Sequence, residues 1–193
     1  WWPPMNKLFA IFDMDGTLVD SMVYWQRLGR EYLTAQGVTE GMDEVLERIK
    51  AMTMAESSAL FIEAFGLPGT PESVMAEMNA VMDEHYRTDI PLKPGAADYL
   101  AALKARGAKL CVATATPEPL ARACLKRLGV LEDLEFLLSC DAVGAGKDRP
   151  DVFLEAARRL GAAPAETAGF AEAVFALQTA TGAGFYTSLL DTT

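Results

Sequence analysis

The fold of this 193-residue chain is decided by the stretch Leu8-Phe9-Ala10-Ile11-Phe12-Asp13-Met14-Asp15-Gly16-Thr17. Its first five residues form a short, continuous apolar run, which is typical of a strand buried on both faces of a parallel sheet. The run stops at two aspartates and a glycine, and Gly16 lets the backbone turn sharply away from the sheet. We therefore expect Asp13 and Asp15 to stand at the carboxyl end of a buried strand, where α/β proteins bind ligands.

Outward from this stretch, apolar runs over residues 109–113, 135–139, 167–170 and 185–190 predict four further strands, of which 167–170 is the weakest. Helical spacing fills the intervals between them, so strands and helices alternate as in a parallel α/β sheet. Residues 20–90 interrupt this alternation, because their apolar residues recur only at helical spacing. The prediction is an α/β protein with a Rossmann-like parallel sheet core, residues 1–19 and 91–193, and an inserted α-helical segment, residues 20–90, after the first strand.

Composition excludes several classes of function. The 17 basic and 27 acidic residues give a net charge of −10, which argues against nucleic acid as a partner because phosphate contacts need clustered lysine and arginine. No apolar window is long enough to span a bilayer, so no membrane association is expected. The single histidine, His85, excludes a zinc site with two histidines and catalysis by several histidines.

The cysteines and the two ends of the chain also allow predictions. Cys111, Cys124 and Cys140 are widely spaced and form no Cys-x-x-Cys pair, which predicts buried, reduced thiols in a cytoplasmic protein. Residues 1–4 lack the apolar region of a signal peptide, and Met5 is the expected natural start. Only three residues follow the last predicted strand, so we expect an early end to the fold and an exposed sheet edge.

Polar side chains follow four of the predicted strands. Asp13 and Asp15 follow the first, Thr114 the second, Lys147 the third within a glycine-containing loop, and Glu172 the fourth. The oxygen ligands of the acids suit a hard cation such as Mg²⁺, while the hydroxyl and the ammonium suit an anion. A site that binds both a cation and an anion is what phosphoryl transfer requires.

The Asp-x-Asp pair offers two different roles. One carboxylate can attack phosphorus to form an aspartyl-phosphate, and the other can protonate the leaving oxygen and then deprotonate the hydrolytic water. Each candidate also has a purely structural alternative. The two aspartates can belong to a common turn, Thr114 can be a strand-end hydroxyl without a role, and Lys147 can be a solvated lysine. Glu172 can be an acid that interacts favourably with a helix dipole. Their shared position at strand ends favours the functional interpretation.

Three segments carry a family resemblance. The run Phe12-Asp13-Met14-Asp15-Gly16-Thr17-Leu18-Val19-Asp20-Ser21 resembles the first motif of the haloacid dehalogenase superfamily. Residues 112–114 resemble its second motif, and residues 146–153 resemble its third. The inserted helices are similar to the α-helical cap of the subfamily that includes β-phosphoglucomutase and phosphoglycolate phosphatase. The resemblance covers nearly the whole chain, from residue 8 to about residue 191.

This resemblance implies roles for the candidate residues. Asp13 is implied as the nucleophile, Asp15 as the general acid and base, and Thr114 and Lys147 as ligands of the phosphoryl oxygens. The implied cofactor is Mg²⁺, bound by the Asp13 carboxylate, the Asp15 backbone carbonyl and Glu172. The implied activity is a Mg²⁺-dependent phosphatase acting on a small phosphorylated metabolite, a sugar phosphate or a compound like phosphoglycolate. The sequence does not identify the oligomeric state.

Departures from the family pattern refine this expectation. Asp15 favours phosphate chemistry over dehalogenation, and Thr17 and Trp25 favour a phosphatase over a phosphomutase. The fourth motif has Ala171 in place of its first acid and Glu172 in place of an aspartate, which predicts weaker Mg²⁺ binding. A phosphomutase of the β-phosphoglucomutase type and a catalytically impaired binding or regulatory protein are the alternatives. In the helical insertion, Trp25 and Lys50 are the candidates for substrate selection.

Overall fold

The computed structural model describes residues 2–190 and contains a five-stranded parallel sheet. Its strands are β1 (Phe9–Phe12), β2 (Lys109–Thr114), β3 (Phe136–Ser139), β4 (Thr167–Ala171) and β5 (Tyr186–Leu189). The order across the sheet is β3-β2-β1-β4-β5, and every neighbouring pair is parallel. The α/β fold predicted from the sequence is confirmed. Strands β2 and β3 lie on one side of β1, and β4 and β5 lie on the other side. The loop after β1 therefore lies at the topological switch point of the sheet.

Eight α-helices lie among the described residues. They are α1 (Met22–Ala35), α2 (Met42–Ile49), α3 (Met54–Phe65), α4 (Pro71–Thr88), α5 (Ala96–Ala105), α6 (Glu118–Arg127), α7 (Asp151–Leu160) and α8 (Val174–Gly182). The first four follow β1 without an intervening strand, as the helical spacing predicts. At the start of α3 the Thr53 hydroxyl accepts a hydrogen bond from the Glu56 N–H at 3.2 Å, which caps the helix.

The chain divides into two compact units. One, here called the core unit, comprises Trp1–Ser21 and Tyr86–Thr193, and the other, the helical unit, comprises Met22–His85. The helical unit is the middle part of the predicted insertion over residues 20–90. That this segment acts as a cap stays a prediction.

Strand β1 is held from both faces of the sheet, since neighbouring side chains in a strand point to opposite sides. On one side Ile11 and Cys111 join an apolar cluster with residues of α7 and α8. On the other side the Phe12 ring stacks on Phe170 of β4 at 4.7 Å between centroids and meets the Tyr99 ring of α5 edge-on at 6.2 Å. The strand that delivers Asp13 is therefore firmly placed.

Strand β4 is buried and paired on both edges, although its sequence predicts a weak strand. Its small residues predict a weak strand, yet all five positions are buried and the strand pairs with β1 on one edge and β5 on the other. Backbone pairing on both edges holds β4 in the sheet, together with the stacking of Phe170 on Phe12. It also runs one residue further than predicted, to Ala171, so Glu172 follows it directly. The described edge strand β5 exposes Tyr186 and Leu189 by about half.

The segment before Met5 packs within the core unit. The Trp2 indole N–H donates to the Pro94 carbonyl at 2.8 Å, and the Trp2 ring stacks on Tyr99 at 5.0 Å. The Tyr99 hydroxyl donates to the Pro3 carbonyl at 2.6 Å. These contacts fasten residues 2–5 to α5 and the loop that precedes it.

The three cysteines are buried and form no disulfide, as predicted. Burial raises the pKa of the Cys111 thiol and raises that of Cys124 to about 11. The single histidine, His85, lies on α4, and its Nε2 atom is 2.9 Å from a carboxylate oxygen of Glu31. Among residues 2–190, no helix combines the length and the apolar character that crossing a membrane would require.

Candidate active site

The loop after β1 is folded back on itself around one carbonyl group. The Met14 oxygen accepts hydrogen bonds from the N–H groups of Thr17, Leu18 and Val19 at 3.2, 2.9 and 3.1 Å. Gly16 has a φ of +76°, a left-handed conformation that glycine adopts at little cost. The tight loop holds Asp13 and Asp15 just beyond the carboxyl end of β1, as the sequence predicts.

Asp13 forms a buried ion pair with Lys147. The Lys147 ammonium contacts Oδ1 of Asp13, and the two side chains are only 8% and 16% exposed. The Asp13 backbone N–H donates to the Phe170 carbonyl at 2.9 Å, which ties the residue to β4 as well as β1. Burial raises the pKa of the Asp13 carboxyl, and the Lys147 ammonium opposes this effect because it stabilises the ionised form.

Thr17 connects Asp13 with the residue that follows β4. Its fully buried hydroxyl donates to Oδ2 of Asp13 at 3.4 Å and accepts from the Glu172 backbone N–H at 3.1 Å. The backbone of Glu172 is thereby fixed beside the nucleophile candidate, while the Glu172 residue itself is exposed. The sequence pattern does not predict this bridging contact, because Thr17 and Glu172 are far apart along the chain.

Three hydroxyl groups surround the Asp15 carboxylate. Ser21 donates to Oδ1 at 2.7 Å, Thr116 donates to Oδ2 at 2.6 Å, and the Tyr86 hydroxyl also donates to Oδ1. The second candidate carboxylate is therefore held by neutral donors, whereas Asp13 is held by an ammonium. The two acids of the Asp-x-Asp pair lie in chemically different surroundings, which suits two different roles.

Sequence reasoning did not find these three partners of Asp15. Ser21 stands at the end of the first motif, which was a signal available from the sequence. Thr116 precedes Pro117, a pair that is typical of the start of a helix, but α6 begins at Glu118 and the Thr116 hydroxyl donates to Asp15. Tyr86 is 71 residues from Asp15 along the chain, and no spacing pattern connects the two.

Thr114 lies at the last position of β2, where it is fully buried. It pairs in register with Ser139 of β3, and its hydroxyl accepts from the Thr116 N–H at 3.1 Å. Thr114 thereby orients the turn that carries Thr116 to Asp15. The structure thus places Asp13, Asp15, Thr114 and Lys147 at one edge of the sheet, and it places the backbone of Glu172 there too.

The helical unit contains the two candidates for substrate selection. Trp25 and Lys50 line the same cavity of about 680 Å³, together with Arg27, Arg30 and Leu46. The Lys50 ammonium is paired with Glu47 at 2.6 Å, and Arg30 is paired with Asp43 at 2.5 Å. Both ion pairs are exposed to solvent.

The donor set at the strand edge can be compared with the needs of Mg²⁺. The Asp13 carboxylate, the Asp15 backbone carbonyl and the Glu172 carboxylate are all hard oxygen donors, which Mg²⁺ prefers. Among residues 2–190, no three histidine, cysteine or acidic side chains are gathered in an arrangement that could hold a metal ion. The chemistry of the donors fits Mg²⁺, and Glu172 is the candidate ligand that is exposed to solvent.

Comparisons with known proteins give a consistent result. The family described as haloacid dehalogenase-like hydrolase matches residues 9–173. A phosphorylated carbohydrates phosphatase of Thermotoga maritima is 25% identical, over 91% of this chain and 81% of the relative. A phosphoglycolate phosphatase of Shigella boydii is 29% identical, over 93% of this chain and 81% of the relative.

A solved structure shows the same fold. It is a Thermotoga maritima protein described as a β-phosphoglucomutase candidate, and it superposes with a TM-score of 0.83 at 24% identity. The superposition covers 95% of this chain and 87% of the other.

Proposed function

The chain belongs to the haloacid dehalogenase-like hydrolases, and from that membership we propose that it is a Mg²⁺-dependent phosphatase of a small phosphorylated metabolite. The prediction of a hydrolase of this family is confirmed by the match over residues 9–173. The observation that carries the proposed chemistry is the difference between the two aspartates. Asp13 forms an ion pair with Lys147, and Asp15 accepts hydrogen bonds from three hydroxyl groups.

In the first proposed step, a carboxylate oxygen of Asp13 forms a bond to phosphorus while the bond from phosphorus to the ester oxygen breaks. Asp15, protonated beforehand, gives its proton to the departing oxygen, which leaves as an alcohol. Lys147 and Thr114 hold the phosphoryl oxygens, and the ammonium of Lys147 stabilises the negative charge on them.

In the second step, water attacks the phosphorus of the aspartyl-phosphate. Asp15, now ionised, takes a proton from that water, and the bond between Asp13 and phosphorus breaks. Inorganic phosphate leaves, and both aspartates return to their starting states. Asp13 is thus the group that bonds to phosphorus, and Asp15 is the group that moves protons.

The proposed Mg²⁺ ligands are the Asp13 carboxylate, the Asp15 backbone carbonyl and Glu172. When bound, the ion supplies positive charge that offsets the repulsion between a carboxylate nucleophile and an anionic phosphate ester. Thr17 contributes by fixing the Glu172 backbone beside Asp13. The longer side chain of Glu172 makes this ligand the weak point of the site, because Mg²⁺ tolerates little departure from octahedral geometry.

The names of the relatives support a small phosphorylated carbohydrate or phosphoglycolate-like substrate. We assign substrate selection to the helical unit, with Trp25 and Lys50 as its candidate residues because they line one cavity. The phosphomutase alternative predicts a requirement for a bisphosphorylated sugar. The impaired-homologue alternative predicts no turnover of any ester.

The proposal is tested by measuring phosphate release from a panel of phosphate esters with and without Mg²⁺. We expect release that depends on Mg²⁺, that is lost in Asp13→Asn, and that is retained in Asp98→Asn, a matched change at an exposed aspartate of α5. Release that continues in Asp13→Asn would contradict the proposed nucleophile. Equal release with and without Mg²⁺ would contradict the proposed cofactor.

A further inference from the structure

Tyr86 contacts the Asp15 carboxylate from a distant part of the chain. It lies in the last turn of α4, where the chain returns from the inserted helices to the core unit, and its side chain is fully buried. Its hydroxyl donates to Oδ1 of Asp15. We propose that Tyr86 is a positioning residue for the acid and base chemistry of Asp15, an inference that rests on the proposed phosphatase function.

The backbone of Tyr86 is itself fixed by an arginine. Arg127, at the end of α6, donates from Nη2 and Nε to the Tyr86 carbonyl at 3.1 and 3.3 Å. Nη2 of Arg127 also donates to the Ile90 carbonyl at 2.6 Å. The last carbonyls of a helix have no partner within the helix, so an arginine there both satisfies them and favours the helix dipole. The backbone that carries the Tyr86 side chain is therefore fixed by Arg127.

The hydrogen bonds divide the two oxygens of Asp15 into different roles. A carboxylate oxygen has two lone pairs, and Oδ1 uses both to accept from Ser21 and Tyr86. Oδ2 accepts from Thr116 and, within the described contacts, keeps one lone pair for another partner. The proton that Asp15 gives and takes is thus carried on Oδ2. Tyr86 sets this by occupying the second lone pair of Oδ1.

The variant Tyr86→Phe removes the hydroxyl and keeps the ring. Its matched control is Tyr99→Phe, because the Tyr99 hydroxyl also makes one hydrogen bond, to the Pro3 carbonyl at 2.6 Å, away from Asp15. Thermal melting of both variants shows whether each is folded, and all rates are measured below the lower melting temperature. A purely structural effect would act on every substrate alike.

The readout is the first-turnover release of two leaving groups. An alkyl phosphate has a poor leaving group that needs protonation by Asp15, whereas p-nitrophenyl phosphate releases a stable phenolate that needs little. For Tyr86→Phe we expect first-turnover alcohol release from the alkyl phosphate to slow about tenfold, a part of the 10²–10⁴-fold acceleration that a general acid contributes, with an unchanged half-saturating ester concentration. Release of p-nitrophenolate should change less than about twofold on the same reasoning. Tyr99→Phe should leave both rates unchanged.

The outcomes separate this inference from the proposed function. If Tyr86→Phe slows the release of both leaving groups equally, or slows neither, the positioning role is overturned while the proposed phosphatase function stands. A wild-type protein that releases neither leaving group would instead contradict the proposed function itself.

Discussion

At the scale of single residues, the site is defined by how its two aspartates are held. Asp13 is paired with a buried ammonium and Asp15 is held by three hydroxyls. Sequence reasoning could place Asp13, Asp15, Thr114 and Lys147, because each follows a predicted strand and the ends of parallel strands meet at one edge of the sheet. It could not find Tyr86 or Thr116, since their contacts with Asp15 arise only when distant segments pack together.

Glu172 gives the sharpest residue-scale prediction about the metal. The variant Glu172→Asp restores the aspartate of the family pattern, whose side chain is one methylene shorter. We therefore expect a lower half-saturating Mg²⁺ concentration and a higher rate of phosphate release. The measurement is a Mg²⁺ titration of phosphate release. Glu135→Asp, at another exposed glutamate, is the matched control and should leave the titration unchanged. Unchanged Mg²⁺ dependence in Glu172→Asp would show that Glu172 is not a ligand.

Cys124 gives a prediction about alkaline pH. Burial raises its pKa from 9.0 to about 11 in the folded protein, so the folded state keeps a proton that the unfolded state loses above pH 9.0. The stability that this thiol contributes is therefore present below pH 9.0 and is lost as the pH rises towards about 11. Urea unfolding across this range should show a steeper fall in the free energy of unfolding for the wild type than for Cys124→Ala. Parallel curves would contradict a buried neutral thiol.

At the scale of elements, helices were easier to predict than the strand β4. The helical spacing of apolar residues predicts the helical character of residues 20–90, where α1 to α4 lie, because this signal is local. Strand β4 is held by pairing with β1 and β5 on its two edges and by the stacking of Phe170 on Phe12, and the small residues over 167–169 do not reveal these long-range contacts. The same reason explains Thr116, whose hydroxyl bonds to Asp15 of the loop after β1 and not to the helix that follows it.

The cap of α3 is the element-scale prediction. Thr53 accepts the Glu56 N–H at 3.2 Å, so Thr53→Ala should lower the free energy of unfolding by about 1 kcal/mol. Thr53→Ser keeps the capping oxygen and should unfold close to the wild type. Chemical denaturation of the three proteins provides the measurement. A loss as large in the serine variant as in the alanine variant would contradict capping as the cause.

At the scale of the whole molecule, the net charge of −10 does not prevent the binding of an anionic ester. What matters is the charge of the three proposed metal ligands, because Asp13, Asp15 and Glu172 carry three negative charges when ionised. Lys147 and one divalent cation would balance them, and protonation of Asp15 as the acid would leave the site positive. If the proposed function is right, these local acids make phosphate binding depend on the metal, and this dependence should be visible as weak ester binding without Mg²⁺.

The most direct test of the account is to trap the covalent intermediate. In Asp15→Asn, p-nitrophenyl phosphate should still phosphorylate Asp13, because its leaving group needs little protonation, while the base required for hydrolysis is missing. After an acid quench, mass spectrometry of the digested protein should find one phosphoryl group, on the peptide that contains Asp13. A wild-type protein that hydrolyses the ester, together with a variant whose phosphoryl group lies on another residue or on none, would contradict the central claim.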